Sequence, residues 1–170
     1  MQFIRGGPNV PQKLIEACED GQVVFFCGAG ISCNAGLPLF EELVEAIGDD
    51  LGWGDTEQTH FDKEEYDICL NLMSKRVDRQ ELRENIWKNL QPKPRRKYAT
   101  SLHHALLSLS KDKETGKTKL VTTNVDRIFE KYLKRSKKNP GPEALVSPRP
   151  PIPKKTYWDG IVYLHGLLPP

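Results

Sequence analysis

The chain has 170 residues, 25 Lys plus Arg against 23 Asp plus Glu, four Cys and 38% hydrophobic residues, a length that suits one domain able to bury a core without disulfides. Its longest uncharged apolar runs, VVFFCGAGI and IVYLHGLLPP, fall well short of the ~20 residues that a membrane-spanning helix needs, and MQFIRGGPNVPQK lacks the apolar core of a secretory signal. Cys18, Cys27, Cys33 and Cys69 form no CxxC pair, which argues against a structural zinc cluster and leaves no disulfide framework, so a reducing, cytoplasmic setting without a metal in this chain is expected.

The small net charge of +2 hides an asymmetry: residues 1–85 carry 7 basic and 17 acidic side chains, and residues 86–170 carry 18 and 6. A chain so polarised can dock head to tail with itself or meet an anionic ligand at its basic half; it can also simply have two differing solvated faces.

In chain order, Pro11 opens a helical stretch over 11–21, with Leu14, Ile15 and Cys18 on one face and Gly21 closing it. QVVFFC (22–27) reads as a buried strand and feeds directly into the glycine turn GAGIS. A helix over 40–52 follows, with Phe40, Leu43, Val44 and Ile47 at helical spacing. Residues 53–64 read as polar and turn-like. Helices are predicted over 64–77 and 78–90, the second capped by Asp78 with Glu81 three residues on. After the break QPKPRRK come an amphipathic helix over 101–110, a charged turn, a buried strand KLVTTN (119–124) and a helix over 125–135. Residues 139–153 hold six prolines and read as an extended loop, after which DGIVYLHG supplies a third strand, 161–164, ending at His165.

Three short apolar strands thus each run into a turn of small, polar or ionisable residues, and in open α/β sheets ligands bind beyond the carboxyl ends of the strands. Glycines in GAGIS let backbone N–H groups approach phosphate oxygens with no Cβ in the way, and Ser32 can cap or touch a phosphate; a tight strand-to-helix turn explains the same residues. Asn124 and Asp126 in TTNVD can hold an amide or a ribose, or simply cap the next helix. His165, at a strand end before Gly166, can titrate and act as a general base. His60 falls in a polar loop, and His103 and His104 on a helix, where they read as surface or packing residues.

GAGISCNAGLPLF, then HHALLSL leading into KLVTTNVD, then VYLHG, resembles the SIR2 (sirtuin) superfamily in order and spacing. The match lies in residues 22–40, 101–133 and 160–166, and three motifs on one chain are far more specific than any one of them. The resemblance implies an α/β, Rossmann-like, three-layer parallel sheet with a small helical insertion at about 55–97 and a Pro-rich loop at about 139–155, in a single partial domain spanning 1–170 that lacks the C-terminal part of the fold. It also implies NAD as the substrate. Gly28, Ala29, Gly30, Ile31 and Ser32 match the cofactor phosphate loop, and Phe40 the aromatic that covers bound NAD. Thr123, Asn124, Val125 and Asp126 match the segment that holds the nicotinamide ribose and carboxamide, and His165 the general base. Asn124, Asp126 and His165 are the implied catalytic residues.

Deacylating sirtuins have Arg where this chain has Glu41 and Gln where it has Thr123, and they usually carry a zinc ribbon of two CxxC pairs after the HG. The departures look more like the SIR2-like NAD-hydrolysing domains of bacterial antiphage defence proteins, which degrade NAD when an attached or partner sensor detects infection; a sensor domain, a protein partner or a homo-oligomer is expected for this chain. NAD-dependent protein deacylation and a non-catalytic NAD-binding module are the other readings. The basic runs RRK (95–97) and KRSKK (134–138) lack interleaved aromatics, so direct nucleic-acid binding is not expected.

Overall fold

The computed structural model describes residues 1–92, 98–133, 143–146 and 158–168. They divide into two units: a sheet unit joining Met1–Gly28 to Ser101–Pro170, and a helical unit, Ala29–Thr100.

Four strands form the sheet: β1 (Phe25–Cys27), β2 (Lys119–Thr122), β3 (Glu143–Val146) and β4 (Gly160–Tyr163), in the order β1-β2-β4-β3 and parallel at every pairing. The sheet unit also holds α1 (Gln12–Glu19), α6 (Ser101–Leu109) and α7 (Ile128–Leu133). The architecture is therefore α/β with an all-parallel sheet, compatible with a Rossmann-like fold. β4 is buried along its whole length, as a central parallel strand should be. Leu120, Ile128, Phe129, Ile161 and Tyr163 are all at most 1% exposed and form the core, each such side chain contributing about 1.5–3 kcal/mol of apolar transfer. β1, at one edge among the described residues, leaves Phe26 exposed.

Two expectations about elements are corrected. Residues 143–146, read as part of a proline-rich loop, form β3 and pair with β4 from Glu143↔Gly160 to Val146↔Tyr163. EALV is too short to show a periodicity, and a strand flanked by prolines is tolerated at an edge, where fewer ladder donors are needed. Residues 53–64 contain a helix, α3 (Asp55–Phe61), rather than a turn. Its polar sequence hides one buried residue, Glu57, whose Oε2 accepts from the Gly54 N–H (2.9 Å) and caps the helix start. The strand predicted over 22–27 also shortens to Phe25–Cys27. RRK (95–97), KRSKK (134–138) and the rest of the predicted loop lie outside the described residues.

The helical unit starts with a 3-10 segment, Ala29–Ala35, followed by α2 (Phe40–Leu51), α3, α4 (Tyr66–Arg76) and α5 (Arg79–Asn89). α2 packs on α4 and α5, and α3 on α4. Val44, Ile47, Cys69 and Met73 are fully buried among them. Asp78 caps α5 as predicted, accepting from the Gln80 and Glu81 N–H groups. Arg76 donates from Nε to Glu57 Oε1 and from a second nitrogen to Oε2, both at 2.9 Å, which fastens the end of α4 to the start of α3. Among the described residues no helix is long and apolar enough to cross a membrane.

Candidate functional site

In the sheet unit the site begins with register. Cys27 pairs with Thr122, and Thr122 with Tyr163, so β1, β2 and β4 end at the same level of one sheet edge. Gly28, Thr123 and Leu164 each follow one of those ends, with Asn124 and His165 one residue further on. The ladder continues one step past the strands. Thr123 N–H donates to Cys27 O (3.0 Å), and Leu164 N–H to Thr122 O (2.9 Å). The sheet edge thus brings Gly28, Thr123, Asn124 and His165 to neighbouring strand tips.

Asn124 and Asp126 are held by a chain of hydrogen bonds. The Thr122 hydroxyl donates to Cys27 O (3.0 Å) and accepts from the Asn124 N–H (3.0 Å). Asp126 is 4% exposed; its Oδ1 accepts from the Ile128 N–H (2.9 Å), capping α7, and its Oδ2 accepts from the Asn124 carboxamide (3.2 Å). Capping and a site role therefore coexist in one carboxylate. The Val125 carbonyl accepts from the Leu168 N–H (3.0 Å), which ties the segment after β4 back to the β2 tip. His165 is exposed, on a turn closed by Gly166 N–H to Tyr163 O (3.4 Å). Gly166 has φ +92°, a left-handed conformation that favours glycine and explains the HG pair locally.

Gly28 is not forced by its own surroundings. A Cβ there would meet only Thr123 Oγ1 at 3.8 Å, an ordinary contact. Cys27, buried beneath it, has its thiol pushed up to about 11 by burial, so it stays protonated and is no nucleophile near neutral pH.

Two residues near these tips escaped the sequence reading. His103 on α6, read as surface or packing, is fully buried and lies edge-on to Phe129 at 4.9 Å. Burial holds its imidazole below the ordinary pKa, and the Asp126 charge partly offsets this. A His on an amphipathic helix gives no sign in sequence of which face it occupies. Tyr163 is fully buried at the end of β4, and its hydroxyl has no hydrogen-bond partner among the described residues. Burial first, and then the Glu130 and Asp126 carboxylates, push its pKa up.

The helical unit holds the other predicted residues. Ala29, Gly30, Ile31 and Ser32 lie in the 3-10 segment, where Ser32 is buried and a Cβ on Gly30 would meet nothing within 4 Å. Phe40 opens α2 and is 46% exposed. Among the described residues, no group of three His, Cys, Asp or Glu could hold a metal ion.

No family model matches the chain, and no solved structure matches it. It is similar to an uncharacterized protein, y4cA, of Sinorhizobium fredii, with 33% identity over 167 residues. The match covers 95% of this chain and 14% of that relative, so the chain spans about one seventh of the relative's length.

Proposed function

We propose that this chain is a SIR2-like domain that cleaves the bond between nicotinamide and ribose in NAD, releasing nicotinamide and ADP-ribose. The observation that carries the reading is the shared sheet edge: three parallel, adjacent strands in register present Gly28, Asn124 and His165 at neighbouring tips. The glycines support it too: a Cβ on Gly30 would meet nothing within 4 Å, and one on Gly28 only Thr123 Oγ1 at 3.8 Å, so packing at neither position requires a glycine. Backbone N–H groups without a Cβ nearby suit a diphosphate.

In the proposed reaction the glycosidic bond lengthens and positive charge builds on the ribose. The Asn124 carboxamide oxygen, turned by the hydrogen bond from its nitrogen to Asp126, stabilises that charge. Asp126 acts through Asn124, because both of its oxygens are already engaged. His165, exposed on its turn, accepts the proton of the attacking water, whose oxygen closes on the anomeric carbon as nicotinamide leaves with the bonding pair. Thr123 and Glu41, which replace the Gln and Arg of the deacylating enzymes, favour hydrolysis over deacylation by the same resemblance. A cytoplasmic antiphage role, with a sensor domain, a protein partner or a second copy controlling the activity, belongs to the same proposal.

The test is nicotinamide release from NAD by the full-length protein and by His165→Ala and Asn124→Ala. Each substitution should lower turnover by roughly 100-fold or more, the usual contribution of a positioned acid–base or charge-stabilising group, with unchanged circular dichroism. Undiminished turnover in both variants would refute the assignment.

A further inference from the structure

Phe40, the residue assigned to cover the dinucleotide, is a large apolar side chain that is 46% exposed, and exposure leaves a ring free to rotate unless something grips it. Inside the helical unit something does. Tyr66, at the start of α4, meets Phe40 edge-on, with ring centroids 6.3 Å apart and planes at 88°. Tyr66 continues to Phe61 at the end of α3 (5.3 Å), and Phe61 to Trp53 (5.0 Å). The row then closes on α2 itself. Trp53 Nε1 donates to Asp49 Oδ1 (3.0 Å), and the indole lies so close over Gly48 that a Cβ there would be 2.2 Å from a ring carbon.

α2 therefore carries both ends of the row, Phe40 at its first turn and the Gly48–Asp49 seat near its last. A glycine inside a helix costs about 1 kcal/mol relative to Ala, and the indole over Gly48 is the reason for it. The Glu41 carboxylate beside Tyr66 adds a polar hold: after burial, it is the next cause pushing the phenol pKa up.

We propose that Tyr66 is a positioning residue that fixes the Phe40 ring and through it the affinity for NAD; the affinity part rests on the NAD reading above. Edge-to-face aromatic pairs contribute enough to hold a ring against rotation, and losing one corresponds to a few-fold to about tenfold in affinity. Tyr66→Phe keeps the ring edge, whereas Tyr66→Leu keeps apolar volume and removes it.

Steady-state nicotinamide release by the full-length protein should show KM for NAD raised about 3- to 10-fold in Tyr66→Leu, with kcat near the parent value and Tyr66→Phe within twofold. The double variant Phe40→Leu/Tyr66→Leu should be no worse than Phe40→Leu alone, because both changes remove one function. With 4-fluorophenylalanine at position 40, the fluorine resonance should move in Tyr66→Leu and stay in Tyr66→Phe, a readout that needs no NAD. Losses that multiply in the double variant, or a fluorine signal indifferent to Tyr66→Leu, overturn the proposal. A parent protein that moves its fluorine signal with Tyr66→Leu but neither cleaves NAD nor responds to it overturns the NAD part and identifies that reading as what failed.

Discussion

The two units bury polar groups for different ends. In the helical unit the buried carboxylate, Glu57, is met at both oxygens by Arg76 and by the Gly54 N–H, so its burial pins two helices. In the sheet unit Thr122, Asp126 and His103 are buried near where β2 ends and α7 starts, and there the Thr122 hydroxyl accepts from the Asn124 backbone N–H and Asp126 from the Asn124 carboxamide. Polar burial that orients a side chain at a strand tip, rather than joining two elements, is the mark expected of a working site.

The largest break in that contrast should come from Asp126. Asp126→Ala removes the cap of α7 and the acceptor of the Asn124 carboxamide together. A lost cap costs about 0.5–2 kcal/mol and a lost side-chain hydrogen bond about 0.5–1.5, so a loss of about 1–3 kcal/mol is expected. Asp126→Asn keeps an acceptor for the Ile128 N–H and should cost less than about 1 kcal/mol, and on the proposed function it should still slow NAD cleavage. Denaturant midpoints of the two variants check this; equal losses would show that the carboxylate's charge, not its capping, matters.

Acid should separate the units next. His103 has a folded pKa below its unfolded one, near 6.5, so the unfolded chain binds the proton more readily and stability falls as pH drops below about 6.5. Glu57 also has a depressed folded pKa, through its hydrogen bond from Arg76 first, but its unfolded value is near 4.3. Its stabilisation is present above that value and is lost as pH falls through the folded one. Amide exchange should therefore show protection weakening around α6 and α7 as pH falls below about 6.5, and around α3 and α4 only below about pH 4. His103→Phe should remove the first step and leave the second; simultaneous loss in both units would sink the distinction.

How legible these features were depended on the length scale of the signal. The glycine turn, TTNVD and the HG pair were readable because each sits beside a short apolar run whose end fixes its place. The helices over 40–52, 64–77 and 78–90 were readable from their own periodicity and caps, and appear as α2, α4 and α5. α3 was missed because one buried residue in seven, an acidic one, gives no apolar stripe, and its reason lies 19 positions away in Arg76. β3 was missed because four residues between prolines carry no pattern, and pairing with β4 decides them. The depth of His103 and the row from Phe40 to Trp53 depend on tertiary neighbours, which one sequence does not name.

The smallest expected effect is the most pointed test of the sheet unit. Tyr163 ends β4 one residue before the Leu164–His165 turn, and its hydroxyl is buried without a hydrogen-bond partner among the described residues. Burying an unpartnered hydroxyl costs about 1–3 kcal/mol, and exchanging it for a ring of the same shape removes that cost. The flanking Glu130 is already matched by Arg127 Nε at 2.7 Å, so the carboxylate needs no phenol donor. Tyr163→Phe should therefore leave stability unchanged or raise it by up to about 1 kcal/mol, read from thermal melting at pH 7. If it were destabilising by more than that, the phenol would be bonded in solution, and the β4 tip would belong to the same polar network that holds Asn124.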